Sequence, residues 1–207
     1  MHAGDIPIKR EDVGGRARVD ELLKSSDLNA ALKVARAIEH PWYRCQSLSS
    51  VAEQSEPVSE KRKLVQEAFR SARECENPNR IVTVASWPLA VLANNGLADD
   101  IRQELEPLLE ILSGEQNPVC RIDALVPLVA TFRNGPMDCF YRVLAQFEDG
   151  CRVCRSWKGD YNLRSIAPLV DKVDPLRAAA LLELIKQPRI RRRAFKEIGD
   201  ARAERSR

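Results

Sequence analysis

Cysteine, arginine, tryptophan and histidine are the residues here whose types could do chemistry, and spacing decides what each can do. Cys151-Arg-Val-Cys154 is a CxxC pair, the spacing of half a zinc site or of a dithiol redox couple. A structural zinc needs four ligands. Cys120 and Cys139 could complete the set only if the fold gathers them, and they form no second close pair. His2 and His40 are poorly placed to help. With Cys45 and Cys75 the thiols number six, and in a chain without a secretory leader they read as reduced, small buried hydrophobes. No metal or other cofactor is therefore expected. Phosphate loops of the GxxxxGK[ST] or GxGxxG kind are missing, as are HExxH and GxSxG. His40 is the one candidate His base, and it stands directly before Pro41, in a turn position. No catalytic residue is assigned.

Arginine and tryptophan point to binding instead. Arg44, Arg80 and Arg121 each follow a proline by two or three residues, and Arg191 repeats the arrangement after Pro188. Two uses fit them. They could form a positive stripe for phosphates or acidic partners, or a structural ladder in which each pairs an acidic residue such as Glu39 or Glu76. Their register with the apolar positions favours the ladder. Trp42-Tyr43 and Trp157 combine a large apolar body with a polar handle, the profile of an interface anchor. Trp87 falls in an apolar slot and reads as core. The run Arg189-Ile-Arg191-Arg192-Arg193 could contact nucleic-acid phosphates. The partner-binding candidates are thus Trp42, Tyr43, Arg44, Arg80, Arg121, Trp157, Arg191, Arg192 and Arg193.

These residues ride on a repeat. Ala31, Ala35, Arg36, Glu39 and Pro41 coincide with Ala68, Ala72, Arg73, Glu76 and Pro78 at a spacing of 37 residues. Gln116-Asn117-Pro118 recurs 40 residues after Pro78, and Lys186-Gln187-Pro188 closes the series. Four residues beyond each Arg stand Leu48, Val84, Leu125 and Phe195; seven beyond stand Val51, Trp87, Leu128 and Ile198. Steps of four then three lie on one helical face. A further copy lies at 160–171, with Asn162 in the Arg slot and Arg164 two later. Expected first helices run near 41–54, 78–93, 118–132, 160–172 and 188–201. Second helices run near 59–75, 97–113, 136–148 and 174–186, after an opening pair near 16–25 and 27–39. Pro41, Pro78 and Pro118 suit a first helical turn; Asn94-Asn95-Gly96, Asn134-Gly135 and Asp149-Gly150 read as helix ends. Asp99-Asp100 suits the positive end of a helix dipole.

A period near 40 residues implies helical hairpins that bury their apolar faces by stacking. The pattern resembles the HEAT-like α-solenoid repeats over roughly residues 27–201, and Pro88, Pro127 and Pro168 inside first helices are similar to the kinked first helices of that family. The resemblance implies an all-α solenoid of stacked antiparallel hairpins with about 10–11 helices. The expected organisation is a disordered arm at 1–15, a single repeat domain at 16–201 and a flexible basic tail at 202–207.

Composition narrows the function. Charged residues make up 30%, hydrophobic ones 44% and aromatics 5% of the 207 residues, a soluble and helix-prone balance. No stretch reaches the ~18 apolar residues of a membrane span, and no signal peptide opens the chain, so the expected location is the cytoplasm. The net charge of +3 is uneven. Residues 188–207 hold eight basic and three acidic side chains, net +5, which leaves −2 for residues 1–187. The leading expectation is a non-enzymatic scaffold binding a protein or peptide along a concave face. The alternative is a nucleic-acid-binding protein acting through its basic C-terminus. HEAT-like alkylpurine DNA glycosylases, similar in length and architecture, would be its enzymatic form. A repeat-type lyase or chaperone for a cofactor-bearing protein is a third class, and would require a large apolar pocket.

Overall fold

Local signals start most of the helices. In the computed structural model, which describes residues 7–205, eleven α-helices and no strand account for the regular structure. Pro41, Pro78, Pro118, Pro175 and Pro188 each occupy the first turn of a helix, where a missing N–H costs nothing and φ is already set. Asn77 and Asn117 cap the helices that follow them, their side chains accepting from the Arg80 and Val119 N–H groups at 3.0 Å each. His40 takes the same position with its Nδ1 accepting from Trp42 N–H at 3.3 Å.

The chain divides into two compact units, Met1–Gly114 and Glu115–Arg207, where the repeat reads as one domain. The first unit holds α1 (Arg10–Lys24), α2 (Leu28–Ala37), α3 (Pro41–Gln54), α4 (Val58–Arg73), α5 (Pro78–Asn94) and α6 (Ala98–Ser113). Consecutive helices pair, α1 with α2, α3 with α4 and α5 with α6, while α1, α3 and α5 also pack in sequence on one another. Leu48, Leu64, Phe69, Leu89, Leu92, Ile101, Leu105, Leu108 and Leu112 form the fully buried interior. The second unit holds α7 (Pro118–Phe132), α8 (Met137–Val153), α9 (Trp157–Asp171), α10 (Pro175–Glu183) and α11 (Pro188–Arg205). Here α7 pairs with α8 and α9 with α10, and α9 also packs on α7 and α11. Phe132, Phe140 and Phe147 anchor its core. No helix among the described residues is long and apolar enough to cross a membrane.

Two helix ends show how the chain turns. After α5, Gly96 takes φ +67°; Gly96 N–H donates to Ala93 C=O and Leu97 N–H to Leu92 C=O, a Schellman closure. After α1 the same pair of bonds runs from Ser26 to Leu23 and from Asp27 to Leu22, but the left-handed residue is Ser26, at φ 61°.

Several boundaries depart from the sequence reading. α1 begins at Arg10, inside the stretch read as an arm. Its Asp12 side chain receives three backbone N–H groups, and that anchorage orders the first turns in spite of Gly14-Gly15. α11 runs to Arg205, through most of the stretch read as a tail. Asp149-Gly150 is not a helix end but lies within α8. A Cβ on Gly150 would come within 3.0 Å of the Ile122 side chain, so this glycine lets α8 approach α7. Residues 1–6, with His2, and residues 206–207 lie outside the described part.

Candidate functional site

Three of the four recurrent arginines bind backbone carbonyls that precede their own helix. Arg44 lies in the first turn of α3, and its guanidinium donates to the carbonyls of Ile38 and Glu39 at 3.2 and 3.1 Å, to Ser71 Oγ at 2.9 Å and to the Glu74 carboxylate. Arg121 donates to Glu115 C=O at 2.6 Å. Arg191 donates to Ile185 C=O and Glu183 C=O and pairs with the Glu183 carboxylate. Arg44 and Arg191 thus reach back to the carbonyl end of the preceding helix, where unsatisfied C=O groups gather. Arg80 pairs with Glu76, four residues before it in the chain, at 2.9 Å. α9 lacks the capping Arg because Asp160 fills its first turn. Asp160 instead reaches forward, accepting from the Lys186 and Gln187 N–H groups at 3.0 Å each. Asp12 does the same for α3, accepting from Glu39 and His40 at 3.1 and 3.0 Å. The displaced Arg164 forms a fork with Glu197 of α11 at 2.9 and 2.6 Å. That fork, with Arg193 at 3.1 Å, holds the Glu197 carboxyl below its ordinary range.

A second ladder follows the 37-residue period. Arg36 of α2 binds Glu67 of α4 through two bonds, 3.0 and 2.7 Å. Its repeat mate Arg73 of α4 binds Glu104 of α6 at 2.5 Å. Both pairs span 31 residues, so the repeat reproduces the interaction between successive second helices.

The aromatic candidates divide. Trp42 and Tyr43 are half-buried, Tyr43 edge-on to the His40 ring with centroids 5.4 Å apart. Trp157 is exposed at the start of α9 and meets the exposed Tyr161 edge-on at 5.3 Å. Arg192 is exposed, as is its neighbour Arg189.

Trp87 corrects the reading that placed it in the core: it is 38% exposed. Counting from the Arg misplaces it, because Arg80 follows Pro78 by two residues and the other arginines follow their prolines by three. One residue is 100° of helix. Counted from the proline, the buried slot holds Val51, Pro88, Leu128 and Ile198, all of them buried. Trp87 then aligns with half-buried Ser50. Phe195 is also exposed, at 44%; α11 turns Ile190, Ala194 and Ile198 inward instead.

Trp87 lines a groove that no sequence signal singled out. α1, α3 and α5 enclose about 480 Å³ between Asp20, Leu23 and Lys24, Ser49, Ser50, Glu53 and Gln54, and Trp87, Ala90, Val91 and Asn94. Arg16, one turn before Asp20 on α1, holds its guanidinium 5.1 Å from the Trp87 ring centroid, within cation–π range. Glu53 accepts from Asn94 Nδ2 at 3.3 Å. The groove is thus an apolar cleft with an aromatic plate and carboxylates at its margin. The sequence-predicted residues Trp42, Tyr43, Arg44 and Arg80 share this unit but do not line the groove. Aligning the repeats on their prolines would have turned Trp87 toward it.

Five of the six thiols are buried and Cys120 is half-buried. Cys151 and Cys154 are each 2% exposed, and burial pushes the Cys151 thiol up to about 12. Burial likewise raises Cys75, to about 11. A thiol so raised is a poor nucleophile near neutral pH. Among the described residues no cluster of three His, Cys, Asp or Glu side chains could hold a metal ion. Compared with protein-family models, with curated proteins and with solved structures, the chain matches none.

Proposed function

We propose that this chain is a non-enzymatic, cytoplasmic helical-repeat module, a HEAT-like solenoid of stacked antiparallel hairpins, that seats a segment of a partner protein in the groove between α1, α3 and α5. The groove carries this reading: an exposed Trp on rigid helices, beside a cleft of peptide dimensions. The recurring first-turn prolines, the carbonyl-capping arginines and the repeated Arg–Glu bridge support the repeat architecture. The test is a photo-cross-linking amino acid at Ser50, inside the groove, and in parallel at Arg70, exposed on α4. In lysate of the source cell, the reading expects a discrete polypeptide adduct from position 50 only, lost on Trp87→Ala. Equal labelling from both positions, or adducts indifferent to Trp87→Ala, would overturn it.

A second reading has its own observation. The first unit holds 15 Lys and Arg against 18 Asp and Glu, net −3, and the second holds 18 against 12, net +6. Four arginines crowd the opening turns of α11, against the helix dipole. Nucleic acid is the partner such a surface would draw. Binding of a single-stranded oligonucleotide that weakens steeply with salt, and is lost on combined Arg189→Gln and Arg192→Gln, is the expected signature.

A further inference from the structure

We infer that the α1–α3–α5 groove selects a cationic side chain, the guanidinium of an arginine in an extended peptide segment, and that Arg16 occupies its place in the free protein. This rests on the proposed reading of the groove as a docking site, and adds the chemistry of what docks.

The argument begins with Trp87. An indole face is the strongest aromatic site for a cation, and a planar guanidinium stacks on it. That position is already filled by a cation, Arg16, at 5.1 Å. Arg16 makes this contact although Asp20 stands one turn away on the same face of α1, and the two form no ion pair. The margin of the groove is acidic: Asp20 on α1 and Glu53 on α3 line it, against the single Lys24. Among the described residues neither carboxylate forms an ion pair; the Glu53 carboxylate accepts from the neutral Asn94 amide, while the Lys61 ammonium nearby is turned to the Glu53 backbone C=O at 3.0 Å. An incoming arginine would therefore replace one cation–π contact with another and add carboxylates that Arg16 does not engage. Its aliphatic stem would lie over Leu23, Ala90 and Val91, the apolar part of the lining. The whole first unit carries a negative balance, 15 basic to 18 acidic residues, which draws a basic segment and repels an acidic one.

The experiment uses the full chain, isotope-labelled, with the indole N–H signals of Trp42, Trp87 and Trp157 assigned by single Trp→Phe variants. The probes are capped octapeptide pools with a fixed central arginine, citrulline or glutamate. Citrulline keeps the shape of arginine and removes its charge. The arginine pool is expected to shift the Trp87 signal and leave Trp42 and Trp157 in place, with the citrulline pool about three- to fivefold weaker. Arg16→Gln is expected to tighten arginine-pool binding about twofold or more, because the internal competitor is gone. Asp20→Asn with Glu53→Gln is expected to reduce the preference for arginine over citrulline to what the Trp87 face alone supplies. If citrulline binds as well as arginine at Trp87, cation selection is wrong and the groove still stands as a docking site. If the glutamate pool binds best, or Arg16→Gln weakens binding, the inference is overturned. If no pool moves Trp87, the groove reading falls with it.

Discussion

Replacing Asp12 by Asn tests whether buried aspartates tie successive helices together. Asp12 is 4% exposed. One oxygen, Oδ1, accepts from the Glu39 and His40 N–H groups at 3.1 and 3.0 Å, and the other, Oδ2, accepts from Lys9 N–H at 3.1 Å. An asparagine that keeps its oxygen on the first pair must turn its NH₂ toward Lys9, donor against donor. One charge-assisted bond is lost and two become neutral. Bonds to charged groups contribute about 1.5–3 kcal/mol and neutral ones about 1. The expected destabilisation is therefore about 2–3 kcal/mol, or about 5–10 °C in Tm for a chain of this length. Urea unfolding followed by circular dichroism measures it. The pH dependence gives a second reading. Burial alone would raise the Asp12 pKa, but the His40, Lys9 and Glu39 N–H groups together outweigh it and hold it below the ordinary 3.8. A depressed carboxyl stabilises the fold fully above its unfolded value, and that contribution is lost as pH falls through the folded one. The gap between wild type and Asp12→Asn should thus be complete above about pH 5 and narrow below pH 4. A Tm unchanged at pH 7, or a gap as wide at pH 3 as at pH 7, would refute the reasoning. Asp20→Asn, on the exposed side of α1, is the control and should change little.

Further expectations concern single features. Ser26→Gly should stabilise by about 0.5–1 kcal/mol, since Ser26 is held at φ 61° with its side chain in solvent; an unchanged urea midpoint would contradict this. Double-mutant cycles should give a larger coupling for Arg73–Glu104, whose carboxylate is 8% exposed, than for Arg36–Glu67, at 26%; the reverse order would deny that burial sets the strength of the repeated bridge. Gly150→Ala should cost about 1–3 kcal/mol, because the new Cβ meets the Ile122 side chain at 3.0 Å; a neutral result would show that α8 can move away from α7 freely. Cys151 should resist a thiol reagent at pH 7 and react on unfolding, its thiol being raised to about 12 by burial; rapid labelling of the native protein would refute that.

What the sequence determined is what local forces decide. The helices over Pro41–Gln54 and Pro118–Phe132 stand at the bounds read from it, because a proline presets φ for the first turn of each. The all-helical class and the turn role of His40 were legible for the same reason. What the tertiary structure alone decided is which neighbour each side chain meets. A one-residue shift in counting turned Trp87 from core to groove, since each residue rotates a helix by 100°. Asp149-Gly150 reads locally as a stop, and only the approach of Ile122 gives that glycine its use. The arginines were legible as a ladder, but most of them bind carbonyls, which carry no residue type for a sequence to display. The groove needs three helices that lie far apart in the chain, and its existence depends on how α1, α3 and α5 pack, a relation no local spacing records.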